Sequence, residues 1–293
     1  MKPAPFDYVC PDTLEEALTL LARAGGEAKV IAGGQSLIPA MNFRIFQPKV
    51  LIDLNRIKDL SFVREGNGAG IRLGAMTRQR TLERDPAIRT IAPLINEAMP
   101  HVAHPQIRNR GTFGGSLAHA DPAAELPAIL VALQGQLRAV RAGSERWIEA
   151  EAFFMGMFAT SLEPDEILAE VAIPPLPART GSAFLEVARR RGDYALAGLA
   201  SILTIGADGT CQAARLVYLN AGDAPRPAPR AAALLIGQRP TPSLFEAAAE
   251  LASSELEPPG TLQASPAFQL HLARVLTRRA LAVAHERARD LTP

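Results

Sequence analysis

Two pairs of adjacent glycines, each followed by a hydroxyl, are the residues of this chain best suited to chemistry. They are Gly33-Gly34 in AGGQSLIP (32–39) and Gly114-Gly115 in GTFGGS (111–116). Glycine adopts positive φ and, lacking a Cβ, lets the backbone come close to a ligand. Successive N–H groups in such turns form a concavity suited to phosphate oxygens, and Ser36, Ser116 and Thr112 add hydroxyl donors. A single glycine pair is most often a plain turn. Two hydroxyl-flanked pairs, both read at strand-to-helix transitions, favour a shared pyrophosphate, and a Cβ at Gly34 is then expected to cost ligand retention more than folding. Neither pair is a P-loop, because no Gly-Lys-Ser or Gly-Lys-Thr exists in the chain. A third run, EGNGAG (65–70), fails the dinucleotide fingerprint, since isoleucine follows at 71 and no helix is signalled, so it reads as a hairpin turn.

Other reactive residue types fit blander roles. His101 and His104 form H-x-x-H with His119 nearby, but Pro105 breaks the helical spacing and no third ligand pattern follows, so a structural or partly solvated loop position is expected. Asp121 precedes Pro122 and suits a turn as well as it suits catalysis, and Asp193 is a second candidate carboxylate. Arg189, Arg190 and Arg191 would steer an anionic acceptor or dock a partner, and equally read as a solvated strand end. Cys10 and Cys211 are the only cysteines, too few for an iron–sulfur cluster and not in a C-x-x-C pair.

The elements that must position these residues are legible from patterning. Residues 13–24 have helical apolar spacing, with Thr13 as N-cap and Glu16 three positions on. Strands at 28–31 and 49–54 flank the first glycine pair, giving a β-α-β unit. A hairpin at 60–73, helices from about 77 and over 88–99 (broken by Pro93), and a long polar loop feeding a helix at 125–133 follow. A strand at 137–140 precedes PPLP (174–177), the best boundary candidate; beyond it come strands at 183–190, 200–205 and 215–219, then helices at 244–254 and 268–289. Over 293 residues this predicts three units: 1–55, 56–175 and 176–293. A net charge of +1, mixed throughout, gives no nucleic-acid surface. The first twelve residues have no leader-like apolar run, and the longest apolar stretch, around 196–205, is far short of a membrane span, so a cytoplasmic location is expected.

The series KVIAGGQSLIP, VLIDLNRI, RLGAMT, IRNRGTFGGSLAHADPAAELPA and RRGDYALAG closely resembles the FAD-binding medium subunit of molybdenum hydroxylases, the group that includes carbon monoxide and xanthine dehydrogenases, and the likeness covers nearly the whole chain. The resemblance implies an α+β, vanillyl-alcohol-oxidase-like FAD-binding fold of two α+β subdomains plus a C-terminal domain of a small antiparallel sheet and helices. It implies that Ile31, Ala32, Gly33, Gly34, Gln35, Ser36 and Leu37 wrap the pyrophosphate through backbone amides, and that Gly111, Thr112, Phe113, Gly114 and Gly115 do so from the other subdomain. Ser116 would touch the diphosphate or ribityl chain and Glu125 a sugar hydroxyl; many relatives carry asparagine and aspartate at these two places. Leu168 would meet the flavin ring through its backbone, and Tyr194 would lie beside the isoalloxazine, shielding a ring face and gating access of the acceptor.

By the same resemblance FAD is non-covalent, and molybdopterin and 2Fe-2S clusters belong to a large and a small partner subunit, in a dimer of heterotrimers. The implied role is electron transfer from those clusters through FAD to an external acceptor, with no catalytic residue acting on the organic substrate and no metal ligand on this chain. Two alternatives stand beside it: a self-contained FAD-dependent oxidoreductase acting directly on a small organic substrate, and a non-enzymatic module whose glycine turns hold another phosphate ligand.

Overall fold

A computed structural model describes residues 1–66, 68 and 70–290. Its first unit is a parallel sheet in the order β1-β3-β2, built from β1 (Asp7–Val9), β2 (Ala28–Ile31) and β3 (Val50–Asp53). Helix α1 (Leu14–Arg23) begins where expected: the Thr13 hydroxyl accepts from the Glu16 N–H at 3.2 Å, and the Glu16 carboxylate accepts from the Asp12 N–H at 3.1 Å. Ala17, Leu18 and Leu21 bury its apolar stripe against β2 and β3. The first glycine pair lies between β2 and the short helix α2 (Leu37–Asn42), the predicted strand-to-helix transition.

The second sheet is antiparallel with strand order β4-β5-β10-β6-β7. It comprises β4 (Val63–Glu65), β5 (Ile71–Gly74), β6 (Gln136–Arg141), β7 (Ser144–Glu149) and β10 (Ile167–Ile173), while β8 (Phe154–Gly156) and β9 (Ala159–Thr160) form a small hairpin. The 65–70 turn joins β4 to β5, and its residues 67 and 69 lie outside the described set. Between β5 and β6 run α3 (Gln79–Arg84), α4 (Pro86–Ile91), α5 (Pro93–Ala98), α6 (Pro105–Arg110), α7 (Phe113–His119) and α8 (Glu125–Ala132), with α9 (Ala150–Phe153) after β7. Pro93 does break the 88–99 helix, separating α4 from α5.

Two expectations change here. The stretch read as a long polar loop contains α6 and α7. The second glycine pair therefore sits inside the first turn of a helix that follows another helix, not at a strand end. Thr112 makes this possible: as N-cap of α7 its hydroxyl accepts from the Gly115 N–H at 3.1 Å, offsetting the poor helix propensity of two glycines. Thr112→Ala should cost about 1 kcal/mol of stability, read as a lower urea midpoint at unchanged slope; an unchanged midpoint would mean that α7 does not rely on the cap.

The last unit is an antiparallel sheet of β11 (Thr180–Ala188), β12 (Ala195–Ile205), β13 (Cys211–Leu219) and β14 (Arg226–Pro227), followed by α10 (Pro229–Leu235), α11 (Pro242–Ser253) and α12 (Pro266–Asp290). β12 is buried on both faces. Ala200 and Ile202 join a core shared with the second sheet and α5, α7 and α8, while Leu199 and Leu203 face α11 and α12. The molecule is thus α+β, a two-sheet half that carries both glycine pairs followed by a sheet-and-helix half.

Candidate functional site

The first glycine loop leaves a row of backbone donors without partners. Among the described residues, the N–H groups of Gly33, Gly34, Gln35, Ser36 and Leu37 make no hydrogen bond within the protein, whereas Ile38 N–H already donates to Gly34 O at 3.2 Å. Gly34 has φ +71°, the left-handed turn that bends such a row into a concavity. Gln35 folds back, its side-chain amide donating to Gly33 O at 2.9 Å and so tying that carbonyl within the loop. Gly33 packs directly on the second loop: a Cβ there would overlap Arg110 O and fall 2.8 Å from Gly111 Cα.

The second loop is different, because its amides, that of Thr112 apart, are already used. Gly111 N–H donates to Ile107 O (2.7 Å), Phe113 to Thr77 O (2.9 Å), Gly114 to Ala75 O (2.8 Å), Gly115 to the Thr112 hydroxyl (3.1 Å) and Ser116 to Thr112 O (3.2 Å). Gly114 is a close-packing residue, since a Cβ on it would lie 2.8 Å from Ala75 Cα. The two loops therefore do not form a symmetric clamp. The first offers backbone donors; the second is a rigid wall on which the first rests.

Between them opens a cleft of about 1050 Å³. Ile31, Ala32, Gly33, Gly34, Gln35, Ser36 and Leu37 line one side, and Gly111, Thr112, Gly114, Gly115 and Ser116 the other. Glu125, Leu168 and Tyr194, far apart in sequence, also line it. Phe113 does not: its side chain is buried in the shared core with Leu117 and Leu126, and only its backbone belongs to the loop.

Burial, reinforced by the charge of Glu186 on β11 and of Asp121, pushes the Glu125 carboxyl up to about 8, against the pull of its own backbone N–H and of Arg108. Near neutral pH Glu125 thus holds its proton and is a donor as well as an acceptor. Tyr194 is 70% exposed, yet partial desolvation, then Asp121 and Glu125, raise its hydroxyl pKa, which keeps it a neutral aromatic wall. Asp121 accepts from the Ala123 N–H at 2.9 Å, the turn role its sequence suits.

Of the histidines only His119 reaches the cleft. It packs against Phe158 with centroids 5.0 Å apart, and burial, with Lys29 adding, lowers its pKa against the pull of Asp121. His101 Nδ1 lies 3.2 Å from Glu186, and the His104 ring packs on the backbone of Gly192. No group of three or more metal-ligating side chains occurs among the described residues. Arg189, Arg190 and Arg191 are exposed and do not line the cleft, whereas the adjoining Gly192 and Asp193 do.

Gln79 and Lys29 are among the lining residues that sequence reasoning missed. Gln79 is 6% exposed, with an unpartnered Oε1 against Gly111, and Lys29 stands 5.8 Å from the Phe46 ring centroid. Lys29 immediately precedes VIAGG, so its nearness was readable; Gln79 is brought in only by the bridge between Arg78 and Thr112.

A family model for the FAD binding domain in molybdopterin dehydrogenase matches residues 4–176, and one for the CO dehydrogenase flavoprotein C-terminal domain matches 182–284. The chain belongs to the molybdopterin dehydrogenase FAD-binding family. Within this family it is 43% identical to the 6-hydroxypseudooxynicotine dehydrogenase complex subunit alpha of Paenarthrobacter nicotinovorans, covering 99% of this chain and 97% of that one. It is 34% identical to the carbon monoxide dehydrogenase medium chain of Hydrogenophaga pseudoflava, over 98% and 99% of the two chains. Its fold matches carbon monoxide dehydrogenase from that organism, in a form lacking the Mo-pyranopterin moiety, with TM-score 0.95 at 36% identity over 98% of this chain and 99% of that one. Quinoline 2-oxidoreductase from Pseudomonas putida 86 matches with TM-score 0.93 at 37% identity, over 98% and 99%. The features of this FAD-binding family member suit the cofactor: five free amides suit a diphosphate, and the cleft exceeds the range of drug-sized pockets.

Proposed function

We propose that this chain is the FAD-carrying electron-transfer subunit of a molybdenum hydroxylase-type dehydrogenase complex. The observation that carries this is the row of five unpartnered amides at the end of β2, opening on a cleft that Tyr194 also lines. Residues 32–37 would hold the diphosphate, Glu125 a sugar hydroxyl, and Leu168 and Tyr194 the flavin ring. Bound FAD would supply two-electron redox chemistry. The chain itself excludes water with Leu168 and the first glycine wall, keeps a proton on Glu125, and presents Tyr194 as an exposed aromatic edge to an approaching acceptor.

The two cysteines are too few to ligate iron–sulfur clusters, so these, with molybdopterin, belong to a small and a large partner subunit. The names of relatives as a complex subunit and a medium chain support this, and give no support to a self-contained oxidoreductase. Our reading places the complex in the cytoplasm as a dimer of heterotrimers; no helix among the described residues is long and apolar enough to cross a membrane. We keep units at 1–55, 56–175 and 176–293: the gap between the two matched families supports the last boundary, and the change from a parallel to an antiparallel sheet between β3 and β4 supports the first.

Purification of the chain from its native host should yield a yellow complex with one FAD per copy and molybdenum- and iron–sulfur-containing partners. A colourless chain that rejects added FAD, or a yellow one that oxidises organic donors alone, would overturn the proposal.

A further inference from the structure

Asn55 and Arg78 do not line the cleft, yet they join its two walls. Asn55 Nδ2 donates to the carbonyl of Ala32 at 2.8 Å, and Arg78 Nη2 donates to Asn55 Oδ1 at 2.6 Å. Arg78 Nη1 donates to the carbonyl of Arg110, the residue before Gly111. A continuous run of three hydrogen bonds therefore links the first glycine loop to the second. Each end is fixed in turn. Asn55 N–H donates to Asp53 Oδ1 at 2.8 Å, and the other Asp53 oxygen accepts from the Tyr8 hydroxyl at 2.5 Å. Arg78 is pinned by its bridge to Thr112, with Gln79 N–H to Gly111 O and Phe113 N–H to Thr77 O both at 2.9 Å.

We propose that Asn55 and Arg78 are positioning residues, a clasp that sets the gap between the two glycine loops before a nucleoside diphosphate arrives. The inference rests on the cofactor reading above. Two physical needs are met at once. Glycine-rich backbone is the most costly to order, and holding it in place beforehand removes that cost from binding. A carbonyl beside a phosphate is repulsive, and one engaged from outside by Asn55 or Arg78 is not free to turn toward the anion. The fork of the guanidinium is essential, because a single side chain must reach Asn55 and Arg110 together.

The test uses the full chain stripped of cofactor and titrated with FAD and, separately, with ADP, which carries the diphosphate without the flavin. Wild type should bind both. Asn55→Ala and Arg78→Ala should each weaken both ligands by about 10- to 100-fold, the worth of a hydrogen bond to a charged group. FAD and ADP should lose the same factor, and the double variant should be no worse than the weaker single, since one clasp is broken only once. Arg78→Lys, which keeps the charge and is the milder change for folding, should behave like Arg78→Ala. Amide hydrogen exchange across residues 32–37 should quicken in the apo variants. Affinities within threefold of wild type in Asn55→Ala and Arg78→Lys would overturn the clasp alone. So would a loss much larger for FAD than for ADP, which marks general loosening. A wild-type chain that binds neither ligand would overturn the cofactor reading and the clasp with it.

Discussion

Gly33→Ala should weaken FAD binding on the order of 100-fold, the upper end of the roughly 1–3 kcal/mol that overpacking costs. The added methyl would meet Arg110 O and Gly111 Cα, both backbone, so no side-chain rotation relieves it. The two walls must separate, and the five donors then no longer converge. Gly34→Ala acts by another route. Its φ of +71° costs an L-residue about 1–2 kcal/mol, and the methyl would touch Ile31 and Ile38 side chains at 3.3 and 3.2 Å, which belong to the fold. Gly34→Ala should therefore lower thermal stability and cofactor affinity together, with about a tenfold loss of FAD. This shifts the sequence-based expectation, which placed the selective loss at Gly34. Flavin fluorescence titration beside thermal unfolding of the apo chains separates the two. Retention of FAD within threefold by Gly33→Ala would remove the role assigned to the loop contact.

Glu125→Gln should remove a pH dependence of the apo chain. A carboxyl whose pKa rises from 4.5 to about 8 on folding binds a proton more tightly in the native state. Its contribution is fully present below pH 4.5 and is lost as pH climbs through 8. The loss is on the order of a few kcal/mol for a group this buried. Wild type should therefore weaken between pH 5 and 8.5 by that amount relative to Glu125→Gln, which has no proton to lose. The facing charges are Glu186 from β11, Asp121 from the turn before α8 and Arg108 from α6. Glu186→Gln should accordingly bring the Glu125 transition to lower pH. Urea midpoints at the two pH values measure this, and parallel pH profiles for wild type and Glu125→Gln would refute it.

What the sequence conveyed, and what it hid, follows from how local each signal was. Helix α1 announced itself because the Thr13–Glu16 cap and the apolar stripe lie within ten residues of one another. The β2-loop-α2-β3 run was equally plain. Helices α6 and α7 were not, being six and seven residues long, too short for periodicity to emerge, and α7 opens with a glycine pair that ordinarily signals a turn. Strand β10 was hidden by Glu170, a charge in an otherwise apolar run that reads as solvent-facing. In the fold Glu170 is 3% exposed and pairs with Arg72 and Arg138 from the neighbouring strands, partners sequence distance conceals.

At the site, the two glycine pairs were legible from their own chemistry and Glu125, Leu168 and Tyr194 through the family likeness, and all of these line one cleft. Phe113 was named with its neighbours but turns inward, since it shares with Leu117, four residues on, the face of α7 that packs into the core. The unequal duties of the two loops were unreadable, because which amides remain free is decided by carbonyls from Ala75, Thr77 and Ile107.

The two matched families meet at a seam near residue 180, but the packing has no such seam. Phe184, Ala200, Ile202, Val217 and Leu219 from the last sheet lie in one cluster with Leu94, Leu126 and Ile129 from the helices before it. Genetic recombination at that seam would join half-cores moulded to different counterparts. Exchange between relatives therefore has to carry both sides of the cluster together, and a fragment ending at the seam would be born with an uncovered apolar face. The boundary between the two matched families is one of sequence, and the core that crosses it makes the two halves depend on each other.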